Sequence, residues 1–307
     1  TCVALETCCG SETAKTASME MTISEISKAT PISSGGPEVP PATLEGWYVL
    51  HQSFRVDWPS LKARSTSGAN QALAEFQELL NGWAVPDEEG WSGAYRVAGN
   101  GVDLLLIHFR RDLESLIRAA HSIRLTDLGD DLLLDQEYVS LVELGLYSLT
   151  REIAQKIDPN DREAWRAALE EALSDERAKG YVQRRLQPVQ PDEMPYVCFY
   201  PMDKRRNPTQ NWYKLSLEER ADLMADHGAV GRHYAGRISQ VISGSMGLAD
   251  WEWAVTLWAA EPVEFKNIIA EMRYDGASAD YAEFGPFVVG KRMDTVDILG
   301  LLTTNKG

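Results

Sequence analysis

The segment WEWAVTLWAAEPVEFKNIIAEMRY (251–274) decides the fold once it is set against VDLLLIHFRRDLESLIRAAHSI (102–123). Each opens on an apolar run of strand length, passes through a short polar turn and continues as an amphipathic helix. Two such segments in one chain are the mark of an internal duplication.

Working outward, the first half reads as a complete unit. GWYVLHQSF (46–54) is β-rich, and residues 67–83 place Leu73, Phe76 and Leu80 at helical spacing. SGAYRVAG (92–99) and VDLLLIHF (102–109) are strands joined by the Asn100-Gly101 hairpin signal. Residues 112–121 then read as a helix and 137–147 as a strand. The second half repeats this order. YVCFYPM (196–202) is a strand and LSLEERADLMADH (215–227) a helix. GRISQVISGS (236–245) and WEWAVTLWAA (251–260) are strands, PVEFKNIIAEMRY (262–274) a helix and FGPFVVGKR (284–292) a strand. The order β-α-β-β-α-β is that of a ferredoxin-like unit. The expected class is therefore α+β, with two ferredoxin-like repeats packed as a dimeric α+β barrel within one chain.

The repeats occupy residues 46–148 and 195–298. Residues 1–45, with the run SSGGPEVPPAT, are expected to be a disordered tail or a docking arm. Residues 299–307 form a C-terminal tail. Between the repeats, 149–194 is a helical connector. Its helix NDREAWRAALEEALSDERAKG (160–180) is charged, carries few large apolar groups and is expected to lie exposed.

A net charge of −16 disfavours nucleic acid as a partner. No apolar run approaches ~18 residues, so no membrane span is expected. The N-terminus lacks the layout of a secretory signal, and the expected compartment is the cytoplasm. Cys2, Cys8, Cys9 and Cys198 show no paired C-x-x-C spacing, which supports neither a zinc site nor a disulfide framework. Cys198 reads as a small core hydrophobe. No G-x-S-x-G elbow, Walker loop or G-x-G-x-x-G after a strand occurs.

Ser216 and Glu219 form an S-x-x-E capping box that starts a helix. Leu217, Ala221, Met224 and His227 share one of its faces. Gly228 follows the histidine and is expected to close the helix there. His227 is then either a core histidine or a ligand. No second histidine lies at i+4, which argues against a bare zinc or iron site. A lone imidazole suits haem, whose porphyrin already supplies four nitrogens. Tyr200 reads as a half-buried aromatic at a strand end. The run Lys204, Arg205, Arg206, with Arg184 and Arg185, is either a solvated basic turn or a rim for carboxylates.

Longer motifs add to this. CFYPMDKRR (198–206) followed by NWY (211–213), the HG pair at 227–228, GR-x-YAG (231–236) and Q-x-I-x-GS-x-GL-x-D-W-E-W (240–253) are ordered along the chain. With GWYVLHQSFRVDW (46–58) and EMRYDGASADYAEFGPFVVGKR (271–292), they resemble the chlorite dismutase-like haem family, and more narrowly its coproheme decarboxylase branch. The likeness spans roughly residues 45–293.

The resemblance implies that His227 is the proximal iron ligand. Gln240 matches the distal position, where true chlorite dismutases carry an arginine. A neutral amide holds an oxychlorine anion less strongly than a guanidinium, so chlorite chemistry is demoted. Tyr200 matches the tyrosine that becomes a radical. The implied reaction is the hydrogen peroxide-dependent oxidative decarboxylation of two propionates of coproheme (iron-coproporphyrin III) to vinyl groups. Coproheme is both substrate and redox cofactor, and haem b is the product. Met202 and Lys204 match positions beside the reactive propionates, and Arg185, Ser278 and more loosely Tyr147 match other propionate contacts. Alternatives are a chlorite dismutase, a general haem peroxidase or a non-catalytic haem carrier or sensor. The resemblance further implies a homopentamer and a transient contact with the coproporphyrin ferrochelatase. Relatives often carry a glutamate where this chain has Gly276. That leaves Asp275 and Glu271 as the options for supporting His227.

Overall fold

The computed structural model describes residues 39–293. The expected tails lie mostly outside these residues, as do Cys2, Cys8 and Cys9. In chain order the first repeat comprises strand β1 (Thr43–Val56), helices α1 (Trp58–Ala63) and α2 (Thr66–Ala84), strands β2 (Gly90–Val97) and β3 (Leu104–Arg110), helix α3 (Leu113–Arg124) and strand β4 (Leu132–Gly145). The connector holds α4 (Tyr147–Ala154), α5 (Arg162–Arg177) and α6 (Gly180–Leu186). The second repeat comprises β5 (Tyr196–Lys204), α7 (Leu217–Arg232), β6 (Ile238–Gly244), β7 (Trp253–Ala259), α8 (Val263–Met272), the one-turn helix α9 (Gly276–Ala279), β8 (Ala282–Phe284) and β9 (Val288–Arg292).

The two repeats share one closed sheet in the order β7-β6-β4-β1-β3-β2-β9-β5, with β5 returning to β7. Every pairing is antiparallel. Closure depends on β5, which pairs β9 through residues 196–199 and β7 through residues 196–202. Its last residues, 202–204, also take β8 as a partner. The expected α+β barrel of two ferredoxin-like repeats is thus the observed fold.

Alternation along the strands sends one set of side chains inward and the other outward. Val49, Trp91, Ile107, Phe109, Val197, Phe199 and Trp258 fill the interior from both repeats. Trp91 stacks on Phe109 with centroids 5.0 Å apart. Inside, Trp258 Nε1 donates to Tyr95 Oη at 3.2 Å, and that hydroxyl donates to Gln190 Oε1 at 2.8 Å. All seven residues of β3 are buried, because α2 and α3 cover its outer face. Helix α2 buries Ala72, Leu73, Phe76 and Leu80 there, a stripe at i, i+1, i+4 and i+8. The turn between β2 and β3 uses left-handed backbone at Asn100 (φ 56°) and Gly101 (φ 69°), residue types that tolerate it.

Several local expectations need correction. β1 begins at Thr43, inside the stretch read as tail. β4 ends at Gly145, and Tyr147 opens α4 rather than closing a strand. The connector holds three helices. α5 buries no residue, as its charged sequence implies, but α6 buries Val182 and Leu186 against Leu44 and Leu144.

A histidine, a carboxylate and a sheet face around α7

The capping box that starts α7 forms as read: Ser216 Oγ accepts from Glu219 N, and the Glu219 carboxylate accepts from Ser216 N. The helix does not close at Gly228. It runs four residues further to Arg232, and Gly228 has no positive φ. His227 is therefore an interior helical residue, and His233 caps the end. Among the described residues of α7 only Arg220 and Ala221 are buried. Its neighbours are chiefly α4, α8 and α9 rather than strands. That contrasts with α2, whose stripe seals the first repeat.

His227 Nδ1 is 3.0 Å from Asp275 Oδ2. Asp275 is the N-cap of α9, its Oδ1 accepting from Ser278 N at 3.0 Å. Ser278 Oγ donates to Asp275 Oδ2 at 3.2 Å and lies 3.5 Å from His227 Nδ1. The other option, Glu271, is committed elsewhere: it accepts from Tyr234 Oη at 2.7 Å and faces His233 at 3.4 Å. An ionised carboxylate at Nδ1 fixes the proton there and leaves the Nε2 lone pair free. Among the described residues Nε2 has no hydrogen-bond partner.

Strand register assembles the facing surface. Tyr200 opposes Val255 on β7, which opposes Ile242 on β6. One step along, Cys198 opposes Leu257, which opposes Gln240. Directly opposed residues of an antiparallel pair point to the same side. Tyr200, Met202 and Gln240 thus share the outer face, with Gln240 two strands over from Tyr200 and two residues along, ~12 Å across it. Val230, one helical turn beyond His227, packs in the same cluster as Tyr200. Gln240 is exposed, while Met202, Ile238 and Ile242 are only partly covered.

Tyr200 is 4% exposed and stacks on Phe287 at 4.5 Å. Burial raises its phenol above the ordinary range, so it is neutral, and its hydroxyl has no hydrogen-bond partner among the described residues. Cys198, two residues back on the same face, is buried and its thiol is pushed up to about 12 by burial, which suits the expected small hydrophobe.

Lys204 ends the row Tyr200, Met202, Lys204. Its Nζ donates to Ala277 O at 2.9 Å and sits 4.2 Å from the Trp212 ring centroid. Burial lowers its pKa to about 8, against the opposing pull of Asp275 and Glu252. The turn of α9 is thus held by His227 through Asp275 on one side and by Lys204 on the other. Tyr147 meets Trp212 edge-on at 6.3 Å.

The rest of the basic run is internally committed. Arg205 donates to Asp280 O at 3.1 Å, and Arg206 pairs Glu252 at 3.3 Å. Arg185 lies on the exposed side of α6 and makes no hydrogen bond or ion pair among the described residues. Two residues of the site had no assigned role in sequence. Trp212, inside the NWY motif, is the hub between Lys204 and Tyr147. Glu252, inside DWEW, accepts from Lys204 N at 2.9 Å and Tyr213 Oη at 2.6 Å.

The donor set does not suit a bare metal ion, since no group of three His, Cys, Asp or Glu side chains among the described residues could hold one. It does suit an iron porphyrin: one imidazole with a free Nε2, beside a partly covered apolar face bearing one amide and one phenol.

The chain belongs to the chlorite dismutase family, whose model matches residues 69–293. Within that class it is similar to the coproheme decarboxylase of Oceanobacillus iheyensis, 37% identical over 258 residues that cover 83% of this chain and 95% of that protein. It is likewise similar to the coproheme decarboxylase of Staphylococcus carnosus, 40% identical over 250 residues, 81% of this chain and 92% of that one. Among solved structures, a haem-binding protein from Thermus thermophilus superposes with a TM-score of 0.74 at 38% identity, over 86% of this chain and 99% of that chain.

Proposed function

We propose that this protein is a hydrogen peroxide-dependent coproheme decarboxylase, converting two propionates of iron-coproporphyrin III to vinyl groups and giving haem b. The relatives' activity supports the reaction class. The observation that carries the assignment to these residues is the pairing of His227, its Nδ1 tied to Asp275, with a sheet face that bears Tyr200 and Gln240.

The bound iron porphyrin, as substrate, supplies the redox centre that reacts with peroxide. Each propionate gives up carbon dioxide, one proton and two electrons, and each peroxide takes up two electrons and two protons to become two waters. The side chains divide the remaining work. Asp275 keeps the proton on Nδ1, so that His227 offers Nε2 to iron. Tyr200, neutral and without a hydrogen-bond partner, loses its hydroxyl hydrogen as a proton and an electron together. It then recovers a hydrogen atom from the propionate β-carbon. Gln240 presents an uncharged amide on the distal side. Lys204 sits one strand step past Met202 and draws a propionate carboxylate toward Tyr200 while its amine is protonated. Met202 supplies apolar wall, and Arg185 and Tyr147 contribute contacts to the remaining propionates. Ser278, which the resemblance also matched to a propionate, instead directs its hydroxyl to the Asp275 carboxylate that orients His227.

The same reading gives a cytoplasmic homopentamer that takes coproheme by transient contact with the coproporphyrin ferrochelatase. No helix among the described residues is long and apolar enough to cross a membrane. To test the function, ferric coproheme is bound to the purified protein, titrated with peroxide and the porphyrins resolved by chromatography. A three-propionate species followed by haem b is the expected outcome. Coproheme that persists through the titration would reduce the protein to a carrier, and rapid oxygen release from chlorite would restore the dismutase reading.

A further inference from the structure

The first repeat carries a polar cluster that the barrel does not require. β3 and β7 occupy equivalent places: Tyr48 opposes Arg110 in the first repeat as Tyr196 opposes Ala259 in the second. By that register Arg110 corresponds to Ala259, and His108 to Leu257. The apolar pair shows what the fold accepts at these outward positions. The first repeat nevertheless buries a guanidinium at 7% exposure and an imidazole at 0%, and burying an unpaired charge is unfavourable.

Their hydrogen bonds are arranged to hold the guanidinium in place. Arg110 Nη1 donates to Trp91 O at 2.6 Å and to Phe109 O at 2.7 Å, and Nη2 donates to Ser92 Oγ at 2.9 Å. The Ser92 hydroxyl is in turn hydrogen-bonded to His108 Nδ1 at 2.8 Å, and His108 stands edge-on to Trp83. Of the five N–H donors on a guanidinium this leaves two, the number a carboxylate engages in a bidentate pair. No carboxylate forms an ion pair with Arg110 among the described residues.

Arg110 lines a cavity of about 320 Å³ between the end of α2, the start of β2 and α3. The other charges on its wall are mostly spent: Glu89 pairs Arg111 at 2.8 Å, and Arg118 pairs Glu114 at 3.3 Å. Asp87 is the exception. Its Oδ1 accepts from Glu89 N and Gly90 N, and it forms no ion pair among the described residues. Trp83 and Ala119 supply apolar wall. The cavity therefore offers a buried guanidinium that lies over the Trp83 ring, 5.4 Å from its centroid, and a carboxylate, Asp87, that acts on it electrostatically without forming an ion pair among the described residues.

We infer that this cavity is a binding site for a free α-amino acid with an apolar side chain, the carboxylate on Arg110, the ammonium on Asp87 and the side chain against Trp83. This site is separate from the histidine-centred one and does not depend on the reaction proposed for it.

Calorimetry of the full chain with L-phenylalanine, 3-phenylpropionate and 2-phenylethylamine tests this, because the last two each lack one charge. Saturable binding of phenylalanine, one per chain, is expected, with each analogue at least about tenfold weaker. Asp87→Asn should leave phenylalanine no better than 3-phenylpropionate, and Arg110→Met should abolish binding of both. Since Arg110 also braces β2, Ser122→Leu provides an independent check, filling the cavity from α3 while sparing both charges. It should also abolish binding. Absence of saturable heat from the wild type up to ~10 mM, or undiminished binding by Ser122→Leu or Arg110→Met, would overturn the inference.

Discussion

His227 Nδ1 and Asp275 Oδ2 lie 3.0 Å apart, though 48 residues separate them in sequence. The contact exists because Asp275 caps α9 against α7, so the groups that end one helix orient an imidazole on another. Gly276 lies beside it. A Cβ there would come within 2.8 Å of Leu223 Cδ2, so a longer residue would press on α7. The aspartate one position earlier provides the carboxylate without that crowding.

Asp275→Asn separates charge from capping, because asparagine is an equally good N-cap. The fold should persist while His227 becomes a weaker donor. The reduction potential of the bound iron should rise, and affinity or activity should fall roughly 10–100-fold. Spectroelectrochemistry of the two proteins would expose an error here if their potentials coincided.

Lys204 makes a prediction with two opposite signs. Its folded pKa is lowered to about 8, from an ordinary value of 10.5. Above pH ~8 the amine loses its charge and its hold on a carboxylate, so KM for coproheme should rise with pH there and should not in Lys204→Met. Between those two values the unfolded chain binds the proton that the folded chain has released. Stability should therefore increase with pH across that window in the wild type relative to Lys204→Met. Urea titrations at several pH values check the second sign, and a decline relative to the variant would contradict it.

Trp212 is 1% exposed and touches Lys204, Tyr147 and Tyr281. Trp212→Ala should cost about 3–5 kcal/mol in denaturant unfolding. Trp212→Phe should cost less but raise KM, by loosening Lys204. Equal stability of the wild type and the alanine variant would remove Trp212 from the centre of the site.

Much of the fold was legible because strands and helices alternate with different hydrophobic periods in two copies. The errors have physical causes. Gly228 reads as a helix terminator, yet Ala229, Val230 and Gly231 continue the helix, and glycine only weakens an interior position. Val182 and Leu186 gave too short a stripe to mark α6 as a packed element, and it is packing with Leu44 and Leu144 on β1 and β4 that makes them core. The site was legible as motifs but not as a surface. That Tyr200 and Gln240 share a face depends on their common partner strand β7, and the choice between Asp275 and Glu271 depends on how α8 and α9 pack. Neither follows from spacing along the chain.

The central claim is that Tyr200 carries the oxidation to the propionates. Its hydroxyl has no hydrogen-bond partner among the described residues, so Tyr200→Phe should keep stability within about 1 kcal/mol of wild type. The most direct measurement is the mass of the bound porphyrin after peroxide, with wild type and Tyr200→Phe side by side. Two successive decarboxylations to haem b in the wild type and unconverted coproheme in the variant are predicted. Conversion by Tyr200→Phe at the wild-type rate would contradict the account.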